Sequence, residues 1–122
     1  MLSKVSLREK FAAFDQVWSP KVVGELNGQV VKLAKLEGEF VWHQHADEDE
    51  LFLVVRGEIE IHLRDGVVTL GEGEMLMIPR GVEHKPVARA LAEVLLFEPA
   101  ATRNTGEVTN ELTVEPEAQE RI

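Results

Sequence analysis

The sequence predicts an all-β fold, a small barrel or jelly roll preceded by a short N-terminal helix, and three observations carry that prediction. Short apolar or alternating runs recur between glycine-rich breaks from Lys21 to Glu98, at the spacing of a sandwich or barrel. Asn27-Gly28 and Asp65-Gly66 stand between such runs, as two-residue hairpin turns require. Helical periodicity is confined to the N-terminal segment, which excludes a βαβ arrangement with a parallel sheet.

Taken in order, Ser6-Leu7-Arg8-Glu9 has the form of a capping box, and Leu7, Phe11 and Phe14 follow at the spacing of one helix face. A helix over about residues 7–16 is expected, ended by Ser19-Pro20 because the residue before a proline is pushed out of the helical region. Residues 1–19 form this N-terminal segment, with Trp18 packing beside the phenylalanines on the body of the domain. Strands are expected at 21–26, 29–36, 39–45, 50–56, 58–63, 67–70, 75–78, 82–88 and 92–98, so the barrel occupies residues 20–98. From Pro99 the strand rhythm is lost, and residues 99–122 read as an acidic tail. It is expected as a solvated end, the alternative being that it docks over the barrel or on a dimer mate.

Composition bounds the function. A chain of 122 residues is one domain with one real core. The absence of cysteine removes disulfides and thiolate ligands together, leaving histidine and carboxylate as metal donors. A net charge of -9 repels phosphate backbones and anionic lipid, so neither nucleic acid nor a membrane is an expected partner. The start, MLSKVSLREKF, lacks the apolar core of a signal peptide, and the expected location is the cytoplasm.

The chemistry concentrates in GEFVWHQHADEDELFLVVRG, residues 38–57. His43 and His45 are two apart; on a strand both imidazoles project from one face, about 7 Å apart. The acidic loop Ala46-Asp47-Glu48-Asp49-Glu50 offers a carboxylate, and His84 follows Ile78-Pro79-Arg80-Gly81. Three imidazoles and a carboxylate suit one divalent transition metal, Fe, Mn, Ni, Cu or Zn, rather than Mg or Ca.

Gly38, His43, His45, Glu50 and Gly57, followed by Gly73, Pro79, Gly81 and His84, resemble the two motifs of the cupin family. Two departures stand out. Four residues rather than five separate Gly38 from His43, and Ala88 stands where many cupins carry asparagine. The resemblance implies a double-stranded β-helix barrel, the metal ligands His43, His45, Glu50 and His84, and activities such as dioxygenase, isomerase or decarboxylase. Asp49 is the rival ligand, but Glu50 has the family spacing and the longer reach. His62, in phase with Glu58 and Glu60, is placed on the outer face with no role.

With His43 and His45 inward, Val41 is inward and Phe40, Trp42 and Gln44 face out. Glu50, Phe52 and Val54 likewise line an apolar pocket, which favours a small metal-chelating substrate. Arg56, Arg80, Lys85 and Arg89 are rim contacts or, more simply, solvated charges. Leu51, Leu53 and Val55 make the outer face apolar too, so it asks for cover by a second copy in a homodimer or by the N-terminal helix. Two uses remain open: a metal-dependent enzyme of dioxygenase or isomerase type, and a non-catalytic module that binds a small ligand or metal.

Overall fold

A computed structural model of the chain describes residues 2–122. Among them lie one α-helix, α1 (Leu7–Ala12), a single 3-10 turn at Pro116–Ala118, and seven strands: β1 (Lys21–Leu26), β2 (Gln29–Glu39), β3 (Glu50–Arg56), β4 (Ile59–Leu63), β5 (Gly66–Leu70), β6 (Met75–Ile78) and β7 (His84–Pro99). Every ladder is antiparallel. None of the described helices is long and apolar enough to cross a membrane.

The long strand β7 holds the architecture together. Its first half pairs with β4, from His84 opposite Leu63 to Val87 opposite Glu60, and its second half with β3, from Val94 opposite Val54 to Phe97 opposite Leu51. β2 runs along both halves. β1 extends the sheet beyond β2, β6 beyond β3 and β5 beyond β4. Between the halves, Ala88 faces Gly38 and Ala92 faces Leu36, so Arg89-Ala90-Leu91 opposes Glu37 alone. Such a bulge bends and twists the strand. Here it carries one strand from one sheet into the other, and it explains why the sequence reads as two strands, 82–88 and 92–98.

The remaining strand boundaries lie close to expectation, with one local exception. β2 continues to Glu39, and the segment expected as a strand over 39–45 leaves the ladder, touching it again only where His43 faces His84. Asn27 and Gly28 take φ of 51° and 77°, the left-handed pair that a type I′ turn demands. The second hairpin turns at Arg64-Asp65, one residue early, with Gly66 opening β5.

Alternation places the core. Lys32, Ala34 and Leu36 of β2, Phe52 and Val54 of β3, Ile59 and Ile61 of β4, and Ala92, Val94 and Leu96 of β7 are buried inside. Full burial of each Val, Leu, Ile or Phe contributes about 1.5–3 kcal/mol. On the outer face, Phe11 and Phe14 pack with Leu33, Val55 and Leu95. The N-terminal segment therefore covers part of that face. The remainder stays open, with Met75 56% and Met77 60% exposed beside half-buried Leu51 and Leu53.

α1 is shorter than expected, ending at Ala12, although Ser6 caps it by accepting a hydrogen bond from Glu9 N. Trp18 does not pack with Phe11 and Phe14. It turns into the barrel, stacks on Phe40 at 4.7 Å between ring centroids and donates from Nε1 to Glu37 O.

The tail is not a solvated end. Glu107, Glu111, Glu115, Glu117 and Glu120 do face water, but Thr102 and Thr105 are fully buried and Leu112 packs on the main core. The Asn104 side chain ties the strap to itself, donating to Leu112 O and accepting from Val114 N. Its last residues add a short parallel pairing to β1, where Val22 N donates to Glu120 O and Ile122 N to Val22 O. Docking over the barrel is thus the arrangement found.

Candidate metal centre

His43 and His84 face each other directly, exchanging two backbone hydrogen bonds of 3.0 and 2.9 Å. Close pairing puts their rings 4.3 Å apart. Each Nδ1 lies 2.9 Å from a carbonyl oxygen two residues earlier, on Val41 and Val82. A carbonyl can only accept, so each Nδ1 carries the proton and each Nε2 presents a lone pair. This is the orientation that a metal-binding imidazole takes from its outer partner.

Glu50 opens β3 and faces inward, with Oε1 3.4 Å from His45 Nε2 and 3.3 Å from His84 Nε2. One ligand atom from each of His43, His45, Glu50 and His84 lies within 4.8 Å of the others, and all four residues are buried. Sequence spacing named these four, and the fold brings all four together. Two donors about 2.1 Å from a common ion stand about 3.0 Å apart at a right angle and about 3.4 Å apart at a tetrahedral one. The two separations from Glu50 Oε1, to His45 Nε2 and His84 Nε2, lie in that range.

The same atoms lack ordinary partners. Both ring nitrogens of His45, Nε2 of His84 and Oε1 of Glu50 are buried without a hydrogen bond. Each such orphan costs about 1–3 kcal/mol, and a cation held by His45, His84 and Glu50 Oε1 removes the cost for all but the second ring nitrogen of His45. The residues present therefore fit a divalent metal of the borderline class.

The loop between His45 and Glu50 is pinned from outside. Asp49 accepts from Arg80 N at 2.9 Å and pairs with its guanidinium, which holds the Asp49 carboxyl below the usual range. Asp49 is thereby turned away and exposed, and Glu50 takes the inner position. Gly81 N donates to His45 O, fastening the same turn to the histidine strand. Lys85 pairs with Glu39 and Arg89 with Glu60 at the surface, so the cationic rim does not line the cavity. His62 stays on the outer face, bonded to Glu60.

Electrostatics favour an uncharged His43. Burial, aided by His84, lowers the His43 pKa to about 4. Burial opposes ionisation of Glu50, yet the adjacent Glu98 carboxyl and the His45 and His84 rings, each placed to donate to it when protonated, outweigh burial and keep its carboxyl well below the usual range. Glu98 moves the other way, pushed well up by burial and by the Glu50 charge against the pull of Lys32.

A cavity of ≈ 40 Å³ adjoins the cluster, walled by Trp18, Phe40, Phe52 and Leu96 with His43, Glu50 and Glu98 as polar lining. Four contributors were not anticipated. Phe40 was expected outward, but beyond the bulge of β2 the ladder's alternation ends and the ring turns in. Trp18 and Asn104 arrive from segments outside the barrel. Glu98 could have been found, because it continues the inward phase of Ala92, Val94 and Leu96, as Lys32 continues that of Ala34 and Leu36.

Comparison with known proteins agrees with this geometry. The chain is 49% identical to a cupin-2 domain containing protein from Shewanella frigidimarina, with a TM-score of 0.77 over 78% of this chain and 93% of that one. It is 30% identical to protein NMB1881 from Neisseria meningitidis, with a TM-score of 0.74 over 80% and 99% of the two chains. The uncharacterized protein YdbB of Bacillus subtilis is 38% identical over 80 residues, 65% of each sequence, so the chain spans 65% of that relative's length. Residues 29–98 match the cupin domain family, and the chain belongs to it.

Proposed function

We propose that the chain binds one divalent transition metal through His43, His45, Glu50 and His84 and acts with it on a small chelating substrate, as a dioxygenase or an isomerase. The observation that carries this reading is the convergence within 4.8 Å of one donor atom from each of four buried residues, three of which (His45, Glu50 and His84) have buried donor atoms without a partner. A bound ion supplies Lewis acidity or redox chemistry at the positions these four ligands leave open. The protein's own part is to hold His43 neutral, to orient the His43 and His84 rings through their Nδ1 partners, to present Glu50 as a carboxylate, and to exclude water with Trp18, Phe40 and the tail. Elemental analysis of protein purified without a His tag, beside His45→Ala, tests the ligand set. About one metal atom per chain in the parent and almost none in the variant is expected. Oxygen uptake with a panel of diketones, thiols and phenols then separates oxygenation from isomerisation. No turnover in any metal form would assign the cavity to ligand binding without catalysis.

The open part of the outer face is assigned to a second copy of the chain. Among the described residues β6 pairs only with β3 and ends the sheet, so its other edge has no strand partner there, and Met75 and Met77 are exposed. An unpaired apolar edge strand favours self-association about a two-fold axis.

A further inference from the structure

Lys32 Nζ lies 2.8 Å from Glu98 Oε1, with the two side chains 1% and 2% exposed, and it also donates to Thr102 O at 3.2 Å. The pair sits inside the barrel, Lys32 on β2 and Glu98 on β7, and the strap closes over it. Burying two charges costs several kcal/mol for each, which core packing alone does not require, since apolar residues of similar size would fill the space. One oxygen of the pair is left over. Glu98 Oε2 is buried without a hydrogen-bond partner, and Glu98 lines the cavity beside Glu50.

The other polar groups of that cavity are already engaged. The Asn104 amide is spent on Leu112 and Val114, His43 Nδ1 is spent on Val41, and the remaining atoms of His43 and Glu50 belong to the metal group. The Glu98 carboxyl lies against Glu50, with which it can share a proton, but no N–H or O–H of another residue donates to its Oε2, so that oxygen is the acceptor with capacity to spare. A carboxyl oxygen keeps an acceptor lone pair whether or not the group carries a proton.

We propose that Glu98, held in place by Lys32, is a second anchor in the cavity: it accepts a hydrogen bond from an O–H or N–H of the ligand whose other end meets the metal. This inference rests on the metal reading above and adds the class of ligand. A cavity of ≈ 40 Å³ holds about three waters at about 10–15 Å³ each, so the ligand is a compact chelator of a few heavy atoms. It carries a metal-binding oxygen next to a hydrogen-bond donor, as in a short hydroxamate, an α-hydroxy acid or an enolised carbonyl compound.

Two probes separate the claims. Azide binds metal ions and carries no donor, whereas acetohydroxamate chelates through two oxygens and leaves an N–H free. Cobalt(II)-loaded protein is titrated with each, following the visible bands of the ion. In Glu98→Gln the amide oxygen takes the Lys32 bond and turns its N–H groups towards the ligand. Acetohydroxamate should then bind about tenfold more weakly while azide changes less than twofold. The pair Lys32→Met with Glu98→Leu, which leaves no charge buried, should lose the same discrimination and guards against a folding defect in the single variant. Equal weakening of both probes, or of neither, overturns the anchor and leaves the metal site standing. Failure of the parent to bind cobalt overturns both.

Discussion

Gly106 lies against Gln44 so closely that a methyl group on it would stand 2.0 Å from the Gln44 carbonyl oxygen. Gln44 is the residue between His43 and His45, so the tail is seated directly on the segment that carries two of the proposed ligands. Gly106 also holds φ of 60°, a left-handed conformation that disfavours a side chain.

Gly106→Ala should therefore lift the strap. The strain and the collision together cost about 2 kcal/mol or more. Limited proteolysis should cut within residues 100–122 much sooner than in the parent, and a chelator should extract metal faster. Unchanged cleavage and unchanged metal release would show that the strap does not close the site.

Acidification should destabilise the metal-free protein through His43. Its pKa is about 4 when folded and about 6.5 when unfolded, so between those values the unfolded chain binds more protons. This contribution is intact above about pH 6.5 and is lost as pH falls towards 4. A shift of that size corresponds to about 3 kcal/mol. Urea denaturation from pH 7 to pH 4.5 measures it, with a shallower pH slope in His43→Gln. Because coordination needs neutral imidazole, metal should leave over the same window.

The buried pair gives a prediction about stability. Lys32→Met strands Glu98 beside Glu50 and should cost about 3 kcal/mol, the low end for a broken buried pair, because burial and the Glu50 charge push the Glu98 pKa up and make taking up a proton an easier escape. Lys32→Met with Glu98→Leu should recover most of that loss. Additive losses in the double variant, read from urea midpoints, would contradict a direct interaction.

Self-association is tested at β6. Met77→Lys places a charge on the exposed edge without disturbing the core. Sedimentation should show the parent at twice 13.7 kDa and the variant shifted towards the single-chain mass. A parent that sediments as one chain at micromolar concentration would remove the assigned interface.

Much of the molecule was legible before folding was considered, for reasons that are local. A strand has a period of two, so Glu50, Phe52 and Val54 alternate inward as read, and His43 and His45 still converge although their segment leaves the ladder after Glu39. Asn27-Gly28 dictates its own turn because few residues tolerate two left-handed positions in succession. The four proposed ligands converge because two short motifs lie on strands that the barrel brings together, His43 opposite His84.

What only the tertiary structure decided depends on contacts between distant residues. A bulge made β7 one strand where the sequence shows two, since pairing with β2 continues across an irregularity that local propensity reads as a break. Phe40 and Trp18 entered the cavity because a stacking partner there outweighed the alternation that pointed Phe40 outward. The tail, acidic enough to look unstructured, docks because a few intermittent residues, Thr102, Thr105 and Leu112, find buried positions while its glutamates remain in water. Composition averages over such residues; only their seats on the barrel distinguish them. Lys32 and Glu98, 66 positions apart by their numbers, became a pair for the same reason: neighbouring strands supply a partner that no local window contains.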